Sequence, residues 1–332
     1  MTAPELALLL TLVSMTAYAL LAGADFGAGI WDLLAGASDR GAPRRKLIEH
    51  VIGPVWEANH VWLIFVLVLV WTTFPAVFAA IASTLWAPLT FAAFGIIGRG
   101  AAFAFRKAVS TVAEQRLFGA VFAASSVATP FFLGAAAGAV AGGRVPIGIA
   151  GGDPWASWLS PVGVLAGALS VTACAFLAAT YLCGNTTDPA LASWFRTRAL
   201  LSGAVTGALA LAGLLVAHGS AHHLFDCLTG RALPLIVVSV VSGVGALALV
   251  AGRRFILARA AAGGAVAALV WGWGFGQYPD LLPGASIDSA AAAPATVHAV
   301  LVTSLAGLVL LVPSMVLLLR LFRDPHHSRP PQ

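Results

Sequence analysis

Apolar runs of about 20 residues or more follow one another along this chain with only short polar joints between them. That arrangement leaves few folds open. In hydrocarbon every backbone N–H and C=O has to be satisfied within the structure, so such runs fold as helices. Hydropathy places nine of them, near residues 5–34, 52–79, 81–107, 116–141, 157–182, 199–218, 232–251, 254–276 and 296–322. Of the 332 residues 60% are hydrophobic and 9% charged, where soluble domains carry about 25% charged residues. Mean hydropathy is +0.93. An all-α polytopic membrane protein follows, as a single integral membrane domain over 1–332. The net charge of +5 is no nucleic-acid signature, because the bases sit in short loops and form no stripe. No charged segment with a small-residue cleavage site precedes the first run, which predicts no cleaved signal.

Charge decides between eight spans and nine, since the second and third runs almost touch. Cytoplasmic loops are rich in Lys and Arg. With nine spans, 16 of the 18 bases fall on one side, and only Arg144 and Arg231 on the other. Fusing spans two and three would scatter them. The N-terminus is therefore expected outside and the C-terminus in the cytoplasm, with Pro75 to Ile81 as a tight outer turn, where proline is tolerated. The stretch from Gly276 to Ala295 reads as an outer loop. Gly23 with Gly27, Gly134 with Gly138, and Gly203 with Gly207 are small-xxx-small pairs that let helices approach closely.

Ionisable groups inside spans are costly and point to function. Of 13 acids only Asp25, Asp32 and Glu57 lie within apolar runs. Asp32 falls at the cytoplasmic end of span one, and Asp25 seven residues earlier lies on the same face, about 10 Å deeper. Span two starts on the cytoplasmic side and puts Glu57 in its first turns. Span three returns and puts Arg99 at a similar level. A buried acid needs a cation, a hydrogen-bond network or a proton. Two readings stay open: a proton route entering from the cytoplasm, or a structural ion pair locking three helices. Asp32 reads as a solvated helix-end acid.

The remaining polar groups are weaker signals. Asn59 and His60 follow Glu57 in "GPVWEANHVWL", fenced by Trp56 and Trp62. His60 is placed to hydrogen-bond Glu57 or Asn59. His218, His222 and His223 end span six; the i,i+4 spacing suits a metal or a haem, but topology puts them at the outer surface with only Asp226 to support them, and no metal site is expected. His298 opens span nine at the outer interface. Cys174, Cys183 and Cys227 form no CxxC, and Cys174 and Cys183 read as small apolar fillers. The ten tryptophans are mostly belt and packing residues.

The order of these motifs resembles subunit II of the cytochrome bd-type quinol oxidases. The resemblance starts at "LLAGADFGAGIWDLL" (Leu20 to Leu34) and passes through "RRKLIEH". Its most specific run is "GPVWEANHVWL" (Gly53 to Leu63), and "IGRGAAFAFRK" (Ile97 to Lys107) and "YPDLLPGASI" follow. It covers essentially the whole chain, strongly as far as Lys107. What it implies is a fold of two four-helix bundles, here about 5–141 and 157–276, with a peripheral ninth helix at about 296–322. It implies a heterodimer with a haem-bearing subunit I, which holds two haem b and one haem d and the quinol site, and small single-helix subunits beside it. It implies a multi-pass protein of the bacterial plasma membrane whose complex oxidises quinol and reduces oxygen to water, separating charge without a pump.

By the same resemblance this chain ligates no haem and has no catalytic residue of its own, though a structural quinone is conceivable. Asp25 and Glu57 would be proton-path acids, Arg99 would steady them with Asn59 and His60, and Trp62 would border an oxygen route. The rival from another class is a proton-coupled secondary transporter, and a third possibility is a purely structural partner. Transporters pair discontinuous helices in two halves around midplane polar sites, whereas the acids here lie in one half and on one side.

Overall fold

In a computed structural model, residues 1–36, 41–52, 56–109 and 111–323 are described, with the side chains of 52, 56–58, 106, 107, 112 and 318–323 left aside. The elements are α1 (Ala3–Leu34), α2 (Ala42–Ile52), α3 (Trp56–Thr73), α4 (Pro75–Thr84), α5 (Trp86–Ala108), α6 (Val112–Ala141), α7 (Pro161–Cys183), α8 (Pro189–Ser220), α9 (His222–Thr229), α10 (Leu233–Ala251) and α11 (Phe255–Gln277). They are followed by β1 (Asp280–Leu282), β2 (Ala285–Ser286), α12 (Ile287–Ala290) and α13 (Pro294–Arg323). Among the described residues eight helices are long and apolar enough to cross a membrane. A ninth candidate is α3 joined to α4 across a bend of 119°. The chain is thus an all-helical polytopic membrane protein.

Local chemistry explains the helix ends. Thr2 and Glu5 form a capping box on α1, and Thr111 and Glu114 another on α6, each satisfying orphan N–H groups reciprocally. Ser160 caps α7, with Pro161 in its first turn. Asp188 caps α8, accepting from Ala190 and Leu191 N–H, with Pro189 in the first turn. That cap corrects the expected start of span six: the helix begins ten residues before residue 199, so Arg196 and Arg198 lie on helix instead of in a loop.

Two further corrections concern the joints. The expected tight turn at Pro75 to Ile81 is a ten-residue helix. Proline lacks an N–H and is accommodated in a first turn; α4 then buries Val77, Ala80 and Thr84, while Trp71 stacks on Phe78 across the bend at 5.6 Å. The stretch from Gly276 to Ala295 is not open loop either. β1 and β2 pair antiparallel, Asp280 opposite Ser286, turning at Gly284 with φ +79°, where glycine carries no Cβ penalty. Leu282, Ala285, Ile287 and Ala290 are buried there, and Ala292 N donates to Thr73 O at 2.7 Å.

α1 packs against α3, α6, α7, α11 and α13. Apolar clusters sit toward both of its ends. Near Leu34 are Trp31, Ile48, Leu182, Phe195, Val250 and Ala258. Near Ala3 are Phe74, Val77, Leu85, Val145, Trp158, Leu282 and Ile287. Between them lie smaller clusters around Phe26 and Phe176, and several close helix contacts there are made by small residues. Gly23 and Gly27 face Cys174, Leu177 and Ala178 of α7, and Gly134 and Gly138 face Ala166 and Ser170. Of the third pair only Gly203 meets a neighbour, Phe176 and Leu247; at Gly207 a Cβ would find nothing within 4 Å.

A Cβ on Gly27 would stand 1.9 Å from the Cys174 carbonyl oxygen, and backbone does not yield as a side chain does. Overpacking of this kind costs about 1–3 kcal/mol. Gly27→Ala is expected to lower the melting temperature of the detergent-solubilised protein by several degrees in a tryptophan-fluorescence scan, while Gly207→Ala leaves it unchanged.

Candidate functional site

The most unusual feature of the interior is an ion pair, with Arg99 of α5 reaching α1. Its Nη2 donates to Asp25 Oδ1 at 2.5 Å and to the Asp25 carbonyl at 3.0 Å, and its Nη1 donates to Ser126 Oγ at 2.5 Å. Both charged residues are 1% exposed. Ser126 donates onward to Phe122 O at 2.7 Å within α6. One guanidinium therefore ties three helices: α1, α5 and α6.

Local sequence makes room for it. A Cβ on Gly29 would collide with Ser126 Oγ at 2.1 Å and lie 3.0 Å from Arg99 Nη1, and one on Gly95 would meet Thr129 Oγ1 at 2.2 Å. Aromatic rings cover the remaining faces of the cation: Arg99 Cζ is 5.0 Å from the Phe26 ring centre and 4.5 Å from that of Phe122. In this dry setting a cation over a ring contributes about 2 kcal/mol or more. Asp25 Oδ2 and Arg99 Nε have no hydrogen-bond partner among the described residues, so the carboxylate keeps one oxygen open.

α3 docks beside this pair. Asn59, 3% exposed, donates from Nδ2 to Leu21 O at 3.3 Å. That carbonyl lies one turn before Asp25 and is the acceptor the Asp25 N–H uses in a regular helix. Asn59 thus fastens α3 to the turn that carries the acid. Glu57 lies two residues earlier in α3, within about one turn of that level; its side chain, like that of Trp56, lies outside the described residues. His60 is framed by Tyr18 and Phe26, with ring centroids 6.2 Å away in each case. Trp62 is 8% exposed, and its Nε1 has no hydrogen-bond partner among the described residues.

The other candidates lie apart. His218 and His222 have ring centroids 6.1 Å apart, His218 packs on Phe225 at 4.6 Å, and Cys227 Sγ is 3.9 Å from the His223 ring nitrogens. Among the described residues no group of three His, Cys, Asp or Glu side chains converges to hold a metal. His298 Nδ1 is 2.7 Å from Pro294 O. Cys174 and Cys183 are buried, in keeping with apolar fillers.

Residue-type reasoning did not single out Ser126, Phe26, Phe122 or Tyr18. The Ser125–Ser126 pair inside an apolar run was the available signal, because a hydroxyl in a span needs an acceptor. Tyr18 Oη has no hydrogen-bond partner among the described residues.

A family model described as Cytochrome bd terminal oxidase subunit II matches residues 3–322. A curated relative, the cytochrome bd ubiquinol oxidase subunit 2 of Bacillus subtilis (strain 168), is 30% identical over 130 residues. Those residues are 39% of this chain and 38% of the relative, so the match spans well under half of that protein's length. In fold the chain is similar to one in the structure of bd oxidase from Geobacillus thermodenitrificans. The TM-score is 0.78 at 24% identity, over 97% of this chain and 99% of that one.

Removing one partner of a buried ion pair leaves an uncompensated charge, at a cost of about 3–5 kcal/mol, whereas replacing both by apolar groups is often close to neutral. Asp25→Asn is therefore expected to lower thermal stability markedly. The double variant Asp25→Leu/Arg99→Met is expected to recover most of that loss, and the non-additivity measured by melting reports the coupling.

Proposed function

This chain belongs to the cytochrome bd terminal oxidase subunit II family, and on that premise we propose that it serves as the haem-free partner in a bd-type quinol oxidase of the bacterial plasma membrane. The reading pairs it with a haem-bearing subunit I, and small single-helix subunits join the pair. Electron transfer from quinol to oxygen is the chemistry of the haems in that partner. This chain's part is to deliver protons and admit oxygen. Its helices divide into bundles over about 5–141 and 157–276, with α13 peripheral, the N-terminus outside and the base-rich end in the cytoplasm.

The observation that carries the reading is the half-satisfied carboxylate of Asp25. Oδ1 rests on Arg99 while Oδ2 is open. When Oδ2 takes a proton, Arg99 loses its counter-charge, at a cost like that of Asp25→Asn, but the Asp25 carbonyl and Ser126 Oγ still hold the guanidinium in place. The acid thus gains and loses a proton in a frame that stays put. Glu57, at the start of α3, is the entry group. Asn59 keeps the two helices in register, His60 adds to the polar layer, and Trp62 borders the apolar path for oxygen. The transporter alternative draws no support from the helix breaks. It calls for discontinuous helices in both halves, and among the described residues there is one bent pair, at Phe74, with no acid at the break.

In the assembled complex, Glu57→Ala and Asp25→Asn are each expected to slow quinol-driven oxygen consumption about tenfold or more, within the reach of positioned proton-transfer groups, with the haem spectrum unchanged; Glu57→Asp is expected to retain most of the rate. A parental rate from either of the first two variants, with assembly intact, sinks the proton path. Expressed alone, the chain is expected to show no stoichiometric Soret band.

A further inference from the structure

The base-rich end of the molecule holds two arginines that the proton path does not use. Arg44 of α2 and Arg198 of α8 both lie against one indole, their Cζ atoms 4.7 and 3.5 Å from the centre of the Trp194 ring. That ring is itself held edge-on by Trp31 at 6.4 Å and Phe195 at 4.8 Å. Arg44 gives a hydrogen bond to Ala35 O at 3.2 Å and Arg198 one to Trp194 O at 3.1 Å. A guanidinium has five N–H donors, so among the described residues most donors of both arginines meet no acceptor.

Among the described residues the salt bridge seen is that of Arg99 with Asp25, and neither of these arginines takes part in one. Asp188, on the same helix as Arg198, has its Oδ1 engaged in capping α8. Glu49 is five residues past Arg44, roughly 140° around α2. Two like charges that share a ring and are only half-exposed call for a counter-ion. Neighbouring bases contrast with them: Arg196 is taken up by Val250 O and Ala251 O at 3.1 and 2.8 Å, and Arg259 by Tyr181 O at 2.9 Å.

The surface beyond Arg198 says which anion. Leu201 is 62% exposed and Val205 47%, and Ala208 is exposed as well. At i+3, i+7 and i+10 from Arg198 they form one stripe along α8 toward the middle of the span. An arginine fork matches phosphate oxygens bidentately, and an indole among basic side chains is typical of the headgroup level. We propose that Arg44 and Arg198 together hold a phosphate anion. Its source is the phosphodiester headgroup of an anionic phospholipid whose acyl chain lies along Leu201, Val205 and Ala208.

The test uses the full complex, purified in mild detergent, delipidated, and titrated with phosphatidylglycerol, with phosphatidylcholine of the same chains, or with inorganic phosphate, bound lipid being read by native mass spectrometry. Phosphatidylglycerol is expected to be retained in preference to phosphatidylcholine. Arg44→Gln is expected to weaken retention about fivefold and Arg44→Gln/Arg198→Gln about 30-fold, as for two surface cations near an anionic headgroup. Arg44→Lys/Arg198→Lys stays nearer the parent, and Arg253→Gln/Arg254→Gln has no effect. Equal retention of phosphatidylcholine, or an undiminished phosphatidylglycerol signal in the double glutamine variant, overturns the site. Inorganic phosphate that displaces nothing supports a lipid source; inorganic phosphate that binds as tightly as phosphatidylglycerol overturns it. If the double variant does not assemble, Arg44→Gln on the surface helix α2 and the lipid competition on the parent decide.

Discussion

The organisation of this molecule depends on one buried guanidinium. Arg99 brings a full positive charge into a region where desolvating an ion costs several kcal/mol, and mutual attraction offsets that only when the geometry is good and the remaining donors find acceptors. Both conditions are largely met: a carboxylate at 2.5 Å, a carbonyl at 3.0 Å and a hydroxyl at 2.5 Å, from two neighbouring helices. Gly29 of α1 follows from it, since a side chain larger than hydrogen there would displace the hydroxyl that receives Nη1. So does the placing of Phe26 and Phe122, which cover the cation without offering it a competing charge.

Polar contacts run along α1 from Thr16 to Trp31, and the two largest apolar clusters lie toward its two ends. The clusters around Trp31 and Phe195 on one side, and Phe74 and Trp158 on the other, hold the bulky side chains. In lipid there is no hydrophobic drive to bring helices together, and packing plus hydrogen bonds has to do it. Interhelical side-chain bonds are accordingly spread along α1: Trp31 Nε1 to Ala175 O at 2.8 Å, Asn59 to Leu21 O, and Trp271 Nε1 to Thr16 Oγ1 at 3.0 Å. α1 serves as the post on which α3, α5, α7 and α11 are each hung by at least one polar contact.

Much of this was legible in the residues, and the failures have physical causes. Span positions came from hydropathy, which measures the quantity the bilayer selects for. Asp25 and Arg99 came to one layer from topology alone, because two spans that run in the same direction and carry charges at matching depth have little else to pair with. The start of α8 was misjudged because Arg196 and Arg198 depress a hydropathy window, although long basic side chains on a helix can reach polar acceptors beyond its apolar face. The joint at Pro75 was misjudged because a proline marks the end of one helix without saying whether another begins on it. Ser126 was passed over because a serine in an apolar span carries no signature of its partner. The side chain of Glu57, the acid the motif most emphasises, lies outside the described residues, so its place rests on the backbone of α3.

The close approach of α1 to α7 has a mechanical meaning. Gly23 and Gly27 bracket Asp25, and at Gly27 the facing surface is the peptide group of Cys174 itself, with no side chain between. Two backbones in direct contact have no rotamers to absorb a displacement. The carboxylate is therefore mounted on a rigid joint, and any tilt of α7 would be transmitted to the acid with little loss, as through a pinned lever.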